Sequence, residues 1–137
     1  MAIIPTQPSS VYLASPLTTY RTPRYDRMVD AARAAVTDAT ILPARGLFFG
    51  ARDWLIRWPA VLATLSGVVF FTDEAGWIGK EVFTELMDAA AAGLPIGLLT
   101  DDGAVHPPDA FAITDVDEED WRQYARIMVA PENGVRR

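Results

Sequence analysis

The sequence predicts an α/β domain, a doubly wound parallel sheet of about five strands with helices on both faces. Three observations carry that expectation. Short β-prone runs alternate with segments whose apolar residues recur at helical spacing. Gly67-Val68-Val69-Phe70-Phe71 is apolar without alternation, the pattern of a central strand covered on both sides. The connections are short, and 137 residues suit one domain, here residues 10–130 between an extended lead-in (1–9) and a tail (131–137).

In chain order, Ser10-Val11-Tyr12-Leu13-Ala14 reads as the first strand, closed by Ser15-Pro16. Residues 15–24 form a polar loop. A helix over Tyr25–Val36 places Met28, Val29, Ala32 and either Val36 or Ala35 on one face. Thr40-Ile41-Leu42-Pro43 is a second strand whose proline suits an end or an edge. Gly46 to Gly50 is a loop with Phe48 and Phe49 outward. Asp53 is placed to cap a helix starting at Trp54, and Pro59 either kinks it or opens a new one. After the third strand, a glycine-punctuated loop leads to a helix over Lys80–Ala92, stopped by Gly93. In such sheets ligands bind outside the carboxyl ends of the strands, so this loop and helix start should wall the site. Ile96–Leu99 is a fourth strand, Thr100–Gly103 a turn and Phe111–Thr114 a last strand. A final helix is expected, capped by Asp115 or Asp117, with Glu118, Glu119 and Asp120 in its first turn. The tail from Pro131 should fray.

Composition removes several functions. The net charge of −6 gives no broad basic face, which disfavours nucleic-acid binding but leaves room for a small phosphorylated ligand. There is no cysteine, and the one histidine, His106, lies in His-Pro-Pro. Thiolate catalysis, disulfides, Cys-ligated zinc, multi-histidine metal sites and histidine-based triads are therefore excluded. No apolar run approaches the ~20 residues of a membrane span. The N-terminus lacks a signal-peptide pattern, so a cytoplasmic protein is expected.

If there is nucleophilic chemistry, carboxylate must supply it. Glu81 and Glu85 stand four apart, with Cβ atoms about 5–6 Å from one another on one side of a helix. Taking Val82, Leu86 and Ala90 as the buried stripe, Glu85 lies roughly 100° from its centre and Glu81 roughly 140°. Glu85 is thus at the boundary of core and water. The competing reading is a solvated Glu81–Glu85–Asp88 face. The loop after strand one offers Ser15, Thr18 and Thr19 hydroxyls with Arg21 and Arg24, a mixture that suits a phosphate or sugar, or simply a polar surface. It lacks the glycines of a P-loop, and no Gly-x-Gly-x-x-Gly follows any strand. Phe48, Phe49, Trp54, Trp58 and Trp77 can stack on a nucleobase or serve as core and dimer contacts. Asp73, at the end of strand three, either orients a sugar hydroxyl or ends the strand.

Val11-Tyr12-Leu13-Ala14-Ser15-Pro16 resembles the opening strand of the nucleoside 2-deoxyribosyltransferase-like proteins, a family that includes deoxynucleoside-monophosphate N-glycosidases. Gly76-Trp77-Ile78-Gly79 through Glu85-Leu86-x-x-Ala89-x-x-x-Gly93-Leu94-Pro95-Ile96 is similar to that family's glycine loop, glutamate helix and following strand. The likeness spans roughly residues 10–100. It implies a flavodoxin-like, Rossmann-like sheet and cleavage of an N-glycosidic bond in a nucleoside or nucleotide, through a glycosyl-enzyme intermediate. Spacing back from Gly93 selects Glu85 as nucleophile; spacing forward from the glycine loop selects Glu81. Tyr12 would position the nucleophile, Arg21 or Arg24 would meet a 5′-phosphate, and Trp54, Trp58 or Trp77 would cover the base. The family's base-directed Asp falls at Trp58-Pro59, with Asp53 the nearest substitute. Asn133 is the nearest match to an asparagine lent by a neighbouring subunit. The resemblance implies no cofactor and a homo-oligomer. The alternative reading is a nucleotide-binding or homodimeric interaction module of the same fold, without chemistry.

Overall fold

Gly67–Phe70 is buried at all four positions and pairs on both sides, because neither of its faces meets water. The computed structural model describes residues 9–130. The lead-in, apart from Ser9, and the tail with Asn133 lie outside the described residues.

The elements are β1 (Ser9–Ala14), α1 (Pro23–Ala35), β2 (Ala39–Pro43), α2 (Ala51–Leu62), β3 (Gly67–Phe70), β4 (Trp77–Ile78), α3 (Lys80–Ala91), β5 (Ile96–Leu99), β6 (Val105–His106), β7 (Phe111–Val116) and β8 (Ala125–Val129). The main sheet runs β2-β1-β3-β5-β6. All its pairings are parallel except that of β6, which returns antiparallel to β5 through the Thr100–Gly103 turn. The expected parallel sheet is therefore mostly parallel, with one reversed edge strand.

Period-two alternation divides the core. Tyr12, Ala14, Val68, Phe70 and Leu98 face α2 and α3. Val11, Leu13, Val69, Phe71 and Leu99 face α1. The chain thus winds to one face after β1 and to the other after β3, which opens a crevice at the carboxyl ends of these neighbouring strands.

Three expectations are corrected. The final helix does not form. Residues 117–124 are a turn between β7 and β8, and these strands join β4 in a separate antiparallel sheet ordered β4-β8-β7. The acidic cluster caps no helix. Asp117 Oδ1 accepts the Glu119 N–H, and Asp120 Oδ1 accepts those of Arg122 and Gln123. Such local side-chain bonds offer the backbone an alternative to the helix. Ala125 and Ile127 are buried while Arg126 and Met128 are exposed, which is strand alternation.

Second, α2 begins at Ala51, not Trp54, with Gly50 at its N-cap (φ 93°). Asp53 reaches back to the Phe49 N–H at 2.8 Å and pairs with Arg57 at 2.9 Å, so it pins the preceding loop. Third, Pro59 does not open a new helix; α2 runs through it, and the Pro59 carbonyl still accepts the Ala63 N–H. Among the described residues no helix is long and apolar enough to cross a membrane.

Candidate active site

The buried stripe of α3 is Val82, Glu85, Leu86 and Ala89, at helical spacing i, i+3, i+4, i+7. A carboxylate occupies a core position. Of the expected stripe of Val82, Leu86 and Ala90, Ala90 is exposed and Ala89 is buried in its place, so Glu85 sits deeper than the core boundary. Its exposure is 3%.

Burying a carboxylate is costly unless donors meet it. Two do. The Tyr12 hydroxyl, from β1, donates to Glu85 Oε2 at 2.5 Å, and Trp54 Nε1, from α2, donates to the same oxygen at 2.9 Å. One turn along α2, Trp58 Nε1 donates to Asp88 Oδ2 at 3.0 Å, and the Trp58 ring packs on Tyr12 with centroids 5.0 Å apart. Paired tryptophans of α2 thus grip paired carboxylates of α3 and hold the phenol between them. Among the described residues nothing bonds to Glu85 Oε1.

Burial pushes the Glu85 carboxyl up to about 8. The Tyr12 and Trp54 bonds pull it down, and the negative charges of Glu81 and Asp88 push it further up. Burial, then the Glu85 charge, raises the Tyr12 phenol far above its ordinary value, so Tyr12 remains a donor. Since Oε2 already accepts two bonds, Oε1 is the oxygen open to a proton or, once the carboxyl ionises, to a partner for the shared charge.

Glu85, Tyr12 and Trp54 line one wall of a cavity of about 360 Å³. Tyr20 and Phe48 stand among its other walls. Gly46 and Gly50, both with positive φ, let the 46–50 loop bend over it. A second lobe, about 250 Å³, adjoins it and shares Ser15, Leu17 and Glu81. Gly79, Trp121 and Arg122 line that lobe. Glu81 is half-buried at the junction; burial raises its carboxyl, and it has no hydrogen-bond or ion-pair partner among the described residues.

The structure therefore gathers Glu85, Glu81, Tyr12, Ser15, Trp54 and Gly79 around one two-lobed cleft. It places the other expected site residues elsewhere. Trp58 and Asp53 serve the packing and loop contacts described above. Arg21 is exposed and lines neither lobe. Arg24 is buried, tied to the Thr72 carbonyl at 2.9 Å and to Asp101 at 2.8 Å. Asp73 borders the same separate depression as Arg24, and its Oδ1 accepts the Ala75 and Trp77 N–H groups. Trp77 lies in β4, paired with Arg126. Trp54 does not simply cover the cavity; it is wired to the carboxylate.

Comparison of the chain with protein-family models, with curated proteins and with solved structures finds no match. The function is accordingly argued from the cleft itself.

Tyr20, Trp121 and Arg122 are cleft residues that the sequence did not mark. Tyr20 sat inside a loop read for its hydroxyls and arginines. Trp121 and Arg122 belonged to the expected final helix, and only the true hairpin brings them to α3. One signal was available: Gly79. A Cβ there would meet the Trp121 carbonyl at 2.9 Å, so some backbone had to pass close to this glycine.

Such an arrangement suits substitution at an electrophilic carbon. One oxygen of Glu85 is fixed by two donors, the residue lines a cavity with aromatic walls, and a second carboxylate stands one helical turn away.

Proposed function

We propose that this chain cleaves the N-glycosidic bond of a nucleoside or nucleoside monophosphate, by transfer or hydrolysis. Glu85 is the nucleophile. The observation that carries the reading is the unshared Oε1 of a buried glutamate whose Oε2 is held by Tyr12 and Trp54.

In the first step Oε1 attacks the anomeric carbon. The C–N bond breaks, its electron pair leaves with the base, and a glycosyl ester forms on Glu85. The departing base takes its proton from solvent. In the second step water, or another base, attacks the same carbon and releases Glu85, with Glu81 taking the proton from water. Tyr20 and Phe48 give the base flat apolar walls. With the reading come a cytoplasmic setting, a small-molecule substrate, self-association and no cofactor.

The test is to incubate the chain with deoxynucleosides and deoxynucleoside monophosphates and follow free base. Release by the wild type and none by Glu85→Gln supports the reading. Release that survives Glu85→Gln and stops in Glu81→Gln transfers the nucleophilic role to Glu81. A second reading, a nucleotide-binding module without turnover, draws on the raised Glu85 carboxyl, which at neutral pH is mostly a neutral hydrogen-bond donor. Ligand-induced melting shifts without base release would favour it.

A further inference from the structure

We infer that the open edge of β7 binds an extended segment of a partner protein, one that alternates apolar residues and carries lysine or arginine where it passes the 117–120 turn. This edge lines neither lobe of the cleft and is independent of the proposed reaction.

The sheet β4-β8-β7 ends on β7, which pairs with β8 on one side only. Outside that ladder, none of the backbone N–H and C=O groups of Phe111–Val116 has a hydrogen-bond partner among the described residues. Such a row of donors and acceptors is a template for another strand. The register shift between Ile113 and Asp115 bends β7, but Phe111, Ala112 and Ile113 pair in unbroken order with Val129, Met128 and Ile127.

The side chains define what that strand should carry. Residues directly opposite in a ladder share a face. Ile113 stands opposite Ile127, and Val116 opposite Ala125. Ile127 and Ala125 are buried, whereas Ile113 and Val116 are exposed. The apolar face of the sheet thus runs past the core at β7 and stops uncovered. Phe111 anchors the strand, packing on Phe70 with ring centroids 5.4 Å apart. An added strand with apolar residues at alternate positions extends that face and covers both exposed side chains.

Charge selects the partner. From Phe111 to Val129 the chain has five carboxylates, Asp115, Asp117, Glu118, Glu119 and Asp120, against two arginines, Arg122 and Arg126. Arg126 lies near Asp115, and Asp117 and Asp120 accept N–H groups of the turn. The Glu118 and Glu119 side chains make no ion pair or hydrogen bond among the described residues, and both residues are exposed. A second copy of the chain fits poorly, because antiparallel pairing of two β7 strands brings each acidic turn towards the other copy's Asp109. A basic segment meets attraction at the same place.

Fluorescence anisotropy of a labelled synthetic peptide tests this with the full chain. The probe is two arginines followed by alternating valine and threonine, an order that sets the arginines beside the turn when the peptide runs antiparallel to β7. It should bind saturably. Replacing its arginines by glutamates should weaken binding by about tenfold or more, and N-methylating its backbone amides, which removes the ladder donors, should abolish it. Ile113→Lys, a charge on the open edge, should also abolish it. Glu118→Lys combined with Glu119→Lys should lose the arginine peptide and gain the glutamate peptide, with the melting temperature unchanged. Absence of binding by the wild-type chain, equal affinity for the N-methylated peptide, or an unchanged preference in the charge-reversed variant overturns the inference. So does sedimentation that shows self-association of the chain abolished by Ile113→Lys, which would give this edge to a second copy.

Discussion

Two depressions open at the carboxyl ends of the strands, and both hold polar groups that the sequence singled out. In the one beside Arg24 and Asp73, both groups already have protein partners. Arg24 is spent on the Thr72 carbonyl and Asp101, and Asp73 on two backbone N–H groups of its own turn. In the cleft beside Glu85, satisfaction stops one atom short: among the described residues Oε2 has two donors and Oε1 has none. Satisfied polar groups hold a structure, and a buried polar atom left open is where a ligand can gain by meeting it. The comparison teaches that atom-by-atom accounting of donors separates a site from a brace, where a list of charged residues does not.

The comparison breaks most sharply at the level of turnover. Glu85→Gln should lower kcat by about 10³-fold or more, as loss of a nucleophile does. Arg24→Ala should leave kcat within about threefold and instead lower stability by about 1–3 kcal/mol, since it strands the Thr72 carbonyl. Steady-state kinetics and urea denaturation of the two variants check this.

A second, smaller effect concerns protonation. The nucleophile must be ionised, so kcat/KM should rise with pH and level off above about 8. Tyr12→Phe removes a donor that pulls Glu85 down, so the rise should move to higher pH and the plateau should fall by about 10–100-fold. A pH–rate profile that falls through the same region would make Glu85 a general acid.

A third effect is on stability. The folded Glu85 carboxyl lies above its ordinary value of 4.5, so the fold binds its proton more tightly than the unfolded chain. Glu85's contribution is therefore most favourable below about pH 4.5 and is lost as pH rises through about 8. Glu85→Gln should be close to neutral at acidic pH and stabilising above pH 8, by an amount on the order of 3–5 kcal/mol at most. Chemical denaturation at both ends of the range measures it. The smallest effect is that of Asp53→Ala, a slight lowering of the urea midpoint through loss of the bond to the Phe49 N–H.

The parallel core of the sheet was legible because both-face burial writes a continuous apolar run, as at Gly67–Phe70, and because Gly93 and the spacing of Val82 and Leu86 mark the helix before β5. Tyr12 and Glu85 stood out through short motifs, and the structure places them in contact across 73 positions of sequence. Long-range partners were the hidden part. Nothing local ties Arg24 to Asp101, or Trp54 to Glu85. The hairpin was misread because Asp-x-x-Asp before an aromatic fits a helix cap as well as it fits a side-chain-bonded turn. That one ambiguity concealed the second lobe with Trp121 and Arg122.

In the proposed reaction Glu85 Oε1 bonds to the anomeric carbon of the sugar. The direct measurement is to incubate the chain with a 2′-fluoroarabinosyl nucleoside or its monophosphate, whose fluorine slows breakdown of a glycosyl ester, and to analyse the peptides by mass spectrometry. The predicted result is one fluorosugar on the peptide carrying Glu85, absent in Glu85→Gln and formed more slowly in Tyr12→Phe. Base release at full rate in Glu85→Gln, with no adduct on that peptide in the wild type, would contradict it.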